Sequence, residues 1–156
     1  MNLKNLLSKR QVKAACKRFR KKRKKIVFTN GVFDIIHRGH VEYLAKAKKM
    51  GDVLLVGLNS DVSVKRLKGK LRPLQSQQDR AVILLALEAV DYVVIFGEVT
   101  PLNLIKLIEP DVLVKGADYK IGDIVGADFV KENGGIVKKV KLTKGKSTSK
   151  IARRLS

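Results

Sequence analysis

The sequence predicts an α/β fold: a doubly wound sheet of about five parallel strands with helices on both faces. Two observations carry this. Short Val-, Ile- and Leu-rich runs alternate with segments of helical periodicity at roughly 20–40-residue intervals. Four of the five runs are almost continuously apolar, as strands buried on both sides of a parallel sheet are. A length of 156 residues and an apolar content of 45% suit one packed body with a real core.

The elements follow in order. Residues 1–24 read as a basic arm or helix ahead of a domain at 25–156. Residues 1–25 hold 12 of the chain's 34 Lys and Arg and no acid, so most of the formal net charge of +20 sits there. Such a block is a solvated basic face first and a polyanion contact second. The strands are "KIVFTN" (25–30), "VLLVGLNS" (53–60), "YVVIF" (92–96), "DVLVKG" (111–116) and "GIVKKVKL" (135–142); the last alternates like an edge strand. Between them, "HVEYLAKAKKMG" puts Val41, Leu44, Ala45 and Ala47 on one face and stops at Gly51. "SQQDRAVILLALEAV" starts from an N-cap at Ser76 and buries Val82, Leu85, Ala86 and Ala89. "PLNLIKLIEP" follows Thr100 as N-cap, with Pro101 at the first helical position. "GADFVKENGG" is the last helix before the edge strand.

Composition excludes several classes. A lone Cys16 rules out an internal disulfide framework. No apolar run approaches the roughly 20 residues that span a bilayer. The charge-studded N-terminus lacks the apolar core of a secretory signal. A cytoplasmic protein is expected.

In open sheets of this kind ligands bind beyond the carboxyl ends of the strands, where strand order reverses. "TNGVFDIIHRGH" (29–40) occupies such an end and carries both of the chain's histidines, His37 and His40. Gly31 permits a tight turn and Gly39 a close backbone approach. The amides opening the next helix are ready donors to phosphate oxygens. Three readings fit the imidazoles. They are satisfied structural groups, or metal ligands together with Asp34, or donors that stabilise charge on a phosphoryl group in transit.

Several motifs recur in a known order. "HRGH" (37–40) behind "TNGVFD" resembles the HxGH signature of the nucleotidyltransferase superfamily that includes the cytidylyltransferases, a group with a Rossmann-like sheet. "DRAVILLALEAVDYVV" (79–94), "VLVKGADY" (112–119) and "GKSTSKI" (145–151) are similar to its later motifs, and the resemblance runs over nearly the whole chain after the arm. Within the superfamily, "FTNGVFDIIHRGHVEYL", "LNSDVSVKRLKG", "RP" (72–73) and "KGADY" are most similar to the adenylyltransferases of ADP-heptose synthesis. Two positions depart from that pattern: Val32, where Cys is common, and Ala117, where Gly is commoner.

The resemblance implies transfer of AMP from ATP to D-glycero-β-D-manno-heptose 1-phosphate, releasing pyrophosphate and giving ADP-heptose, a lipopolysaccharide core precursor. It implies a stand-alone form without the fused sugar kinase of many relatives, Mg2+ accompanying ATP without a dedicated protein metal site, and a homodimer. The catalytic set it implies is His37, His40, Lys70 and Arg80. Nucleotide and phosphate contacts fall to Thr29, Asn30, Gly31, Phe33, Asp34, Gly39, Lys68, Gly116, Asp118, Tyr119, Ser147 and Thr148. Lys65, Lys68, Lys70 and Arg72 lie in "KRLKGKLRP", which reads as a loop able to close over phosphates. Arg80 opens a helix, where a cation is locally unfavourable, and this too points to a ligand.

The alternatives share the HxGH chemistry: a cytidylyltransferase for glycerol 3-phosphate or another alcohol phosphate, or an adenylyltransferase acting on a flavin or mononucleotide. A nucleic-acid-binding protein using the basic arm is the non-enzyme alternative. Buried strands and only eight Phe and Tyr count against specific nucleic-acid recognition.

Overall fold

The computed structural model describes residues 3–141. Its strands are β1 (Leu6–Leu7), β2 (Ile26–Gly31), β3 (Val53–Asn59), β4 (Tyr92–Phe96), β5 (Val112–Gly116) and β6 (Ile136–Val140). The helices are α1 (Lys9–Lys21), α2 (Arg38–Lys48), α3 (Asp61–Lys68), α4 (Gln77–Leu85), α5 (Leu102–Ile108) and α6 (Ala127–Glu132). All pairings are parallel, in the order β1-β4-β3-β2-β5-β6. The chain builds outward from β2 to β4, then returns to the other side of β2 for β5. Strand order therefore reverses between β2 and β5, and a crevice opens there.

Two apolar layers sandwich the sheet. On one side α2 and α4 pack Leu44, Ala47, Ala81 and Leu84 over Val27, Val56 and Val93. On the other, α1, α5 and α6 pack Val12, Cys16, Ile105, Ile108 and Val130 over Phe28, Leu55 and Leu113. This alternation along each strand is the two-sided burial that continuous apolar runs call for. Aspartates hold the amino ends of the central strands. Asp52 accepts from Lys25 N at 2.7 Å, Asp111 from Ile26 N at 2.7 Å, and Asp91 from Leu54 N at 2.6 Å.

The structure departs from the sequence reading in five places. The sheet has a sixth strand, because Leu6–Leu7 pairs with Val93 and Val94 at the edge. The basic segment, read as an arm or helix, is a helix packed into the core: on α1 Val12, Ala15 and Cys16 are fully buried while its charged residues face water. Burial pushes the Cys16 thiol up to about 11, so it is a packing residue. On α2 the inward face is Tyr43, Leu44 and Ala47, with Val41 43% exposed. Tyr43 turns inward because its hydroxyl is satisfied there, against Thr29 Oγ1 at 2.8 Å and Val114 O at 3.1 Å. On α4 the inward face is Ala81, Leu84 and Leu85. Finally, α5 begins after Pro101, whose carbonyl accepts from Ile105 N, and Thr100 does not cap it.

Candidate active site

The turn after β2 is shaped by its own residues. Gly31 has no Cβ because the Phe33 ring takes that space; a Cβ there would lie 2.9 Å from the ring. Phe33 itself has φ 47°, a left-handed conformation that costs a bulky residue free energy and is retained where surroundings enforce it. One enforcing group is Asp34, 3% exposed, which accepts from Arg72 Nη1 at 2.7 Å, Leu74 N at 2.8 Å and Gln75 N at 3.1 Å. A single carboxylate thus ties the 72–75 segment to the turn. Arg80 is the second, fully buried and donating to Val32 O at 2.6 Å, Gln75 O at 3.1 Å and Asp61 Oδ1 at 2.7 Å.

The two histidines divide their tasks. His37 is the N-cap of α2, its Nδ1 accepting from Gly39 N at 3.1 Å. That bond leaves the proton of a neutral ring on Nε2. His40 stacks on His37 with ring centroids 3.9 Å apart and meets the Phe33 ring edge-on at 5.3 Å. Burial, and then the neighbouring His37, pull the His40 pKa down to about 4, with the Ile35 backbone opposing. His40 is therefore uncharged at neutral pH.

A cleft of about 600 Å³ opens above the carboxyl ends of β2, β3 and β5, at the point where strand order reverses. Asn30 to Asp34, His40, Asn59, Lys68, Arg72, Lys115 and Tyr119 wall it. An adjoining hollow of about 200 Å³ shares Asn30, His40, Lys115 and Tyr119, and adds Gly116 and Asp118. Lys115 Nζ donates to Asn30 Oδ1 at 2.6 Å and lies 5.7 Å from the Tyr119 ring centroid. Burial lowers its pKa to about 8, against the pull of Asp118. Gly57 makes room for the Phe28 ring and Asn30, since a Cβ there would lie 2.8 Å from the ring and 3.1 Å from the Asn30 Cβ. Among the described residues no group of three His, Cys, Asp or Glu is placed to hold a metal. Asp34, the carboxylate of the metal reading, is already engaged by Arg72 and two amides.

This placement of an HxGH helix start at the reversal point matches a known protein family. The Cytidylyltransferase-like family profile matches residues 28–154. The chain belongs to the cytidylyltransferase-like family. It is a nucleotidyltransferase of that family. It is 56% identical over 150 residues to the "Bifunctional protein HldE" of Wolinella succinogenes, covering 96% of this chain and 31% of that protein. The protein of the same name from Campylobacter concisus is 62% identical over 135 residues, covering 86% and 28%. The chain thus spans under a third of the length of these curated relatives. Among solved structures, the lipopolysaccharide core biosynthesis protein from Thermoplasma volcanium is similar at TM-score 0.64 and 31% identity, covering 79% of this chain and 99% of that one. The pantoate-beta-alanine ligase of Francisella tularensis shares the fold at TM-score 0.61 and 16% identity, covering 92% and 69%.

Of the residues expected from sequence, Asn30, Gly31, Phe33, Asp34, His40, Lys68, Gly116, Asp118 and Tyr119 line the cleft or its hollow. Thr29 lies beneath, fully buried and bonded to Tyr43. Gly39 is buried behind the wall, and Arg80 is under the turn. Lys65 and Lys68 sit on α3 rather than in a loop; Lys70 is exposed and outside the cleft wall. Ser147 and Thr148 lie outside the described residues. Sequence reasoning missed Lys115, although a lysine ending an apolar strand beside the reversal point was a signal for it.

Proposed function

We propose that this chain transfers AMP from ATP to D-glycero-β-D-manno-heptose 1-phosphate, releasing pyrophosphate and forming ADP-heptose. The observation that carries the reading is the cleft at the β2/β5 reversal, where His40, Lys68 and Lys115 converge over the start of α2. The heptose acceptor rests on the motif resemblance and on 56–62% identity to the bifunctional HldE proteins. A homodimer in the cytoplasm is proposed by analogy with the enzymes the motifs resemble.

In this mechanism a phosphate oxygen of the acceptor attacks the α-phosphorus in line. The bond from that phosphorus to the departing pyrophosphate breaks as the new one forms. A phosphate dianion is already a nucleophile, so no side chain needs to take a proton, and catalysis is positioning and charge stabilisation. His40, neutral at working pH, offers a fixed dipole and hydrogen bond; positive charge comes from Lys68 and Lys115. His37 holds the first turn of α2 through Gly39 N and orients the imidazole stacked on it. Asp34 and Arg80 act as positioning residues for the turn and the 72–75 segment. Gly116, Asp118 and Tyr119 take the base and ribose. Mg2+ would accompany the triphosphate as part of the substrate and would supply charge neutralisation for the leaving pyrophosphate.

Pyrophosphate release measured across ATP and CTP, crossed with sugar 1-phosphates, glycerol 3-phosphate and mononucleotides, tests the reading. Turnover is expected with ATP and the heptose 1-phosphate. Turnover confined to CTP and glycerol 3-phosphate would replace it with the cytidylyltransferase alternative.

A further inference from the structure

Lys115 is a cation of this site that no carboxylate among the described residues meets at ion-pair distance. It is the penultimate residue of β5, a rigid element, and its side chain enters the wall shared by the large cleft and the smaller hollow. Its hydrogen-bond partners are neutral: Asn30 Oδ1 at 2.6 Å and Asn30 O at 3.4 Å. Among the described residues no carboxylate stands within ion-pair distance of it; the ion pairs belong to Lys9, Arg20, Arg38, Lys48, Arg72 and Arg80. The contrast with Arg72 and Arg80 is informative. Both are cations largely withdrawn from water in the same region, Arg80 completely and Arg72 to 21% exposure, and both have a carboxylate at 2.7 Å. A desolvated ammonium whose carboxylate, Asp118, acts on it only from beyond ion-pair distance is costly, and a strand end offers many uncharged residues that would pack there without that cost.

We infer that Lys115 is a catalytic residue: the cation that holds the phosphoryl group in transfer where nucleotide and acceptor compartments meet. The inference rests on nucleotidyl transfer at this cleft and not on the heptose acceptor. Its position on the shared wall distinguishes it from Lys68, which is exposed at the end of α3 and lines the large cleft. As charge builds on the oxygens around the α-phosphorus, a fixed ammonium beside them gains more in the transition state than in the ground state.

The groups around Lys115 set the pH at which it discharges. Asp118 raises its pKa; Asn30 from β2 and the Tyr119 ring are neutral; His40 from α2 is uncharged at neutral pH. Lys139 is its register partner on β6, and Lys68 borders the same cleft. Burial is the dominant influence and leaves the ammonium titrating near pH 8. Below that pH the free enzyme carries the charge ready for an anion; above it the charge is lost and kcat/KM falls.

The test uses the full chain. NMR titration of the 15N-labelled lysine side chains should find one Nζ, absent from the Lys115→Met spectrum, titrating near pH 8. Adding the non-hydrolysable α,β-methylene analogue of ATP should raise that pKa by about one unit or more. Lys115→Met should lower kcat about 100-fold and weaken ATP binding by about the 10-fold that a one-unit pKa rise on binding requires, and it should abolish the basic limb of kcat/KM near pH 8. Lys115→Arg, which keeps the charge, should recover part of the loss and move the basic limb upward. An unchanged pKa with the analogue would overturn the inference. So would a Lys115→Met enzyme that keeps its kcat or its basic limb, since a residue that merely pins Asn30 would do so. If Lys115→Met does not fold, the titration and Lys115→Arg still decide. If heptose 1-phosphate is not turned over, the acceptor assignment fails while the titration still reports on Lys115.

Discussion

At the scale of single residues, the protonation state of His40 sets what the site can do. The imidazole is withdrawn from water and stacked on a second ring, so its pKa lies near 4 against 6.5 for an ordinary histidine. Between those values the unfolded chain takes up a proton that the folded chain refuses. Folding stability associated with His40 is therefore intact above pH 6.5 and declines as pH falls toward 4. The urea midpoint should drop between pH 7 and pH 4.5, and His40→Asn should flatten that part of the slope. Activity gives an independent readout. His40→Ala should lower kcat by about 10²–10³ with circular dichroism unchanged. The wild-type rate should show no acidic limb from His40 above pH 5, because the working form is the neutral ring. Sequence alone exposes the HxGH pair and its place after a strand. It does not separate the two rings, since the distinction depends on His37 turning its Nδ1 back to cap α2 while His40 lines the cleft.

At the scale of elements, the site is assembled by connections between segments far apart in the chain. Arg80 at the start of α4 grips the turn after β2 through Val32 O, the preceding segment through Gln75 O, and α3 through Asp61. The sequence marks Arg80 as misplaced for an isolated helix. Periodicity carries no information about the three acceptors that justify it, because they come from other elements. Lys115 was hidden for the opposite reason: inside "VLVKG" it reads as the polar end of a strand, and only the β2/β5 crossover makes that end a wall of the cleft. The inward faces of α2 and α4 differ from the sequence reading for a similar cause. Tyr43 and Arg80 are polar-tipped residues that apolar counting sends outward, yet their partners lie inside. Replacing Arg80 by Met keeps the bulk and strands the Val32 and Gln75 carbonyls with the Asp61 carboxylate. We expect a loss of about 3 kcal/mol in urea unfolding. The KM for ATP should also rise as the turn that Arg80 holds through Val32 O loosens.

At the scale of the whole molecule, charge and packing are combined in one segment. The densest basic run, Lys21 to Lys25, joins α1 to β2 and so lies at the amino ends of the strands, opposite the cleft. The acids of that pole are already engaged, as Lys48 takes Asp91 and Arg20 takes Glu109. The charge reads from composition; the fold role of the segment does not, because its apolar residues are few and separated by lysines. Three of them are fully buried, Val12, Ala15 and Cys16, which close the layer over α5, and the partly buried Phe19 packs on Tyr92 with centroids 5.3 Å apart. Deleting residues 1–25 removes a strand and a helix and uncovers Ile105 and Ile108. The apolar area alone is worth about 5 kcal/mol, a large part of the roughly 5–15 kcal/mol that holds a domain together. The truncated chain should therefore unfold at a much lower temperature or fail to accumulate in soluble form. Converting Lys21, Lys22, Arg23 and Lys24 to Gln strips charge without touching the packed face, and its melting temperature should stay within a few degrees of the parent. Thermal unfolding of the two variants side by side separates the contributions. A truncation as stable as the parent would mean that α1 is attached to the core without supporting it, and equal losses in both variants would put the contribution in the charges instead.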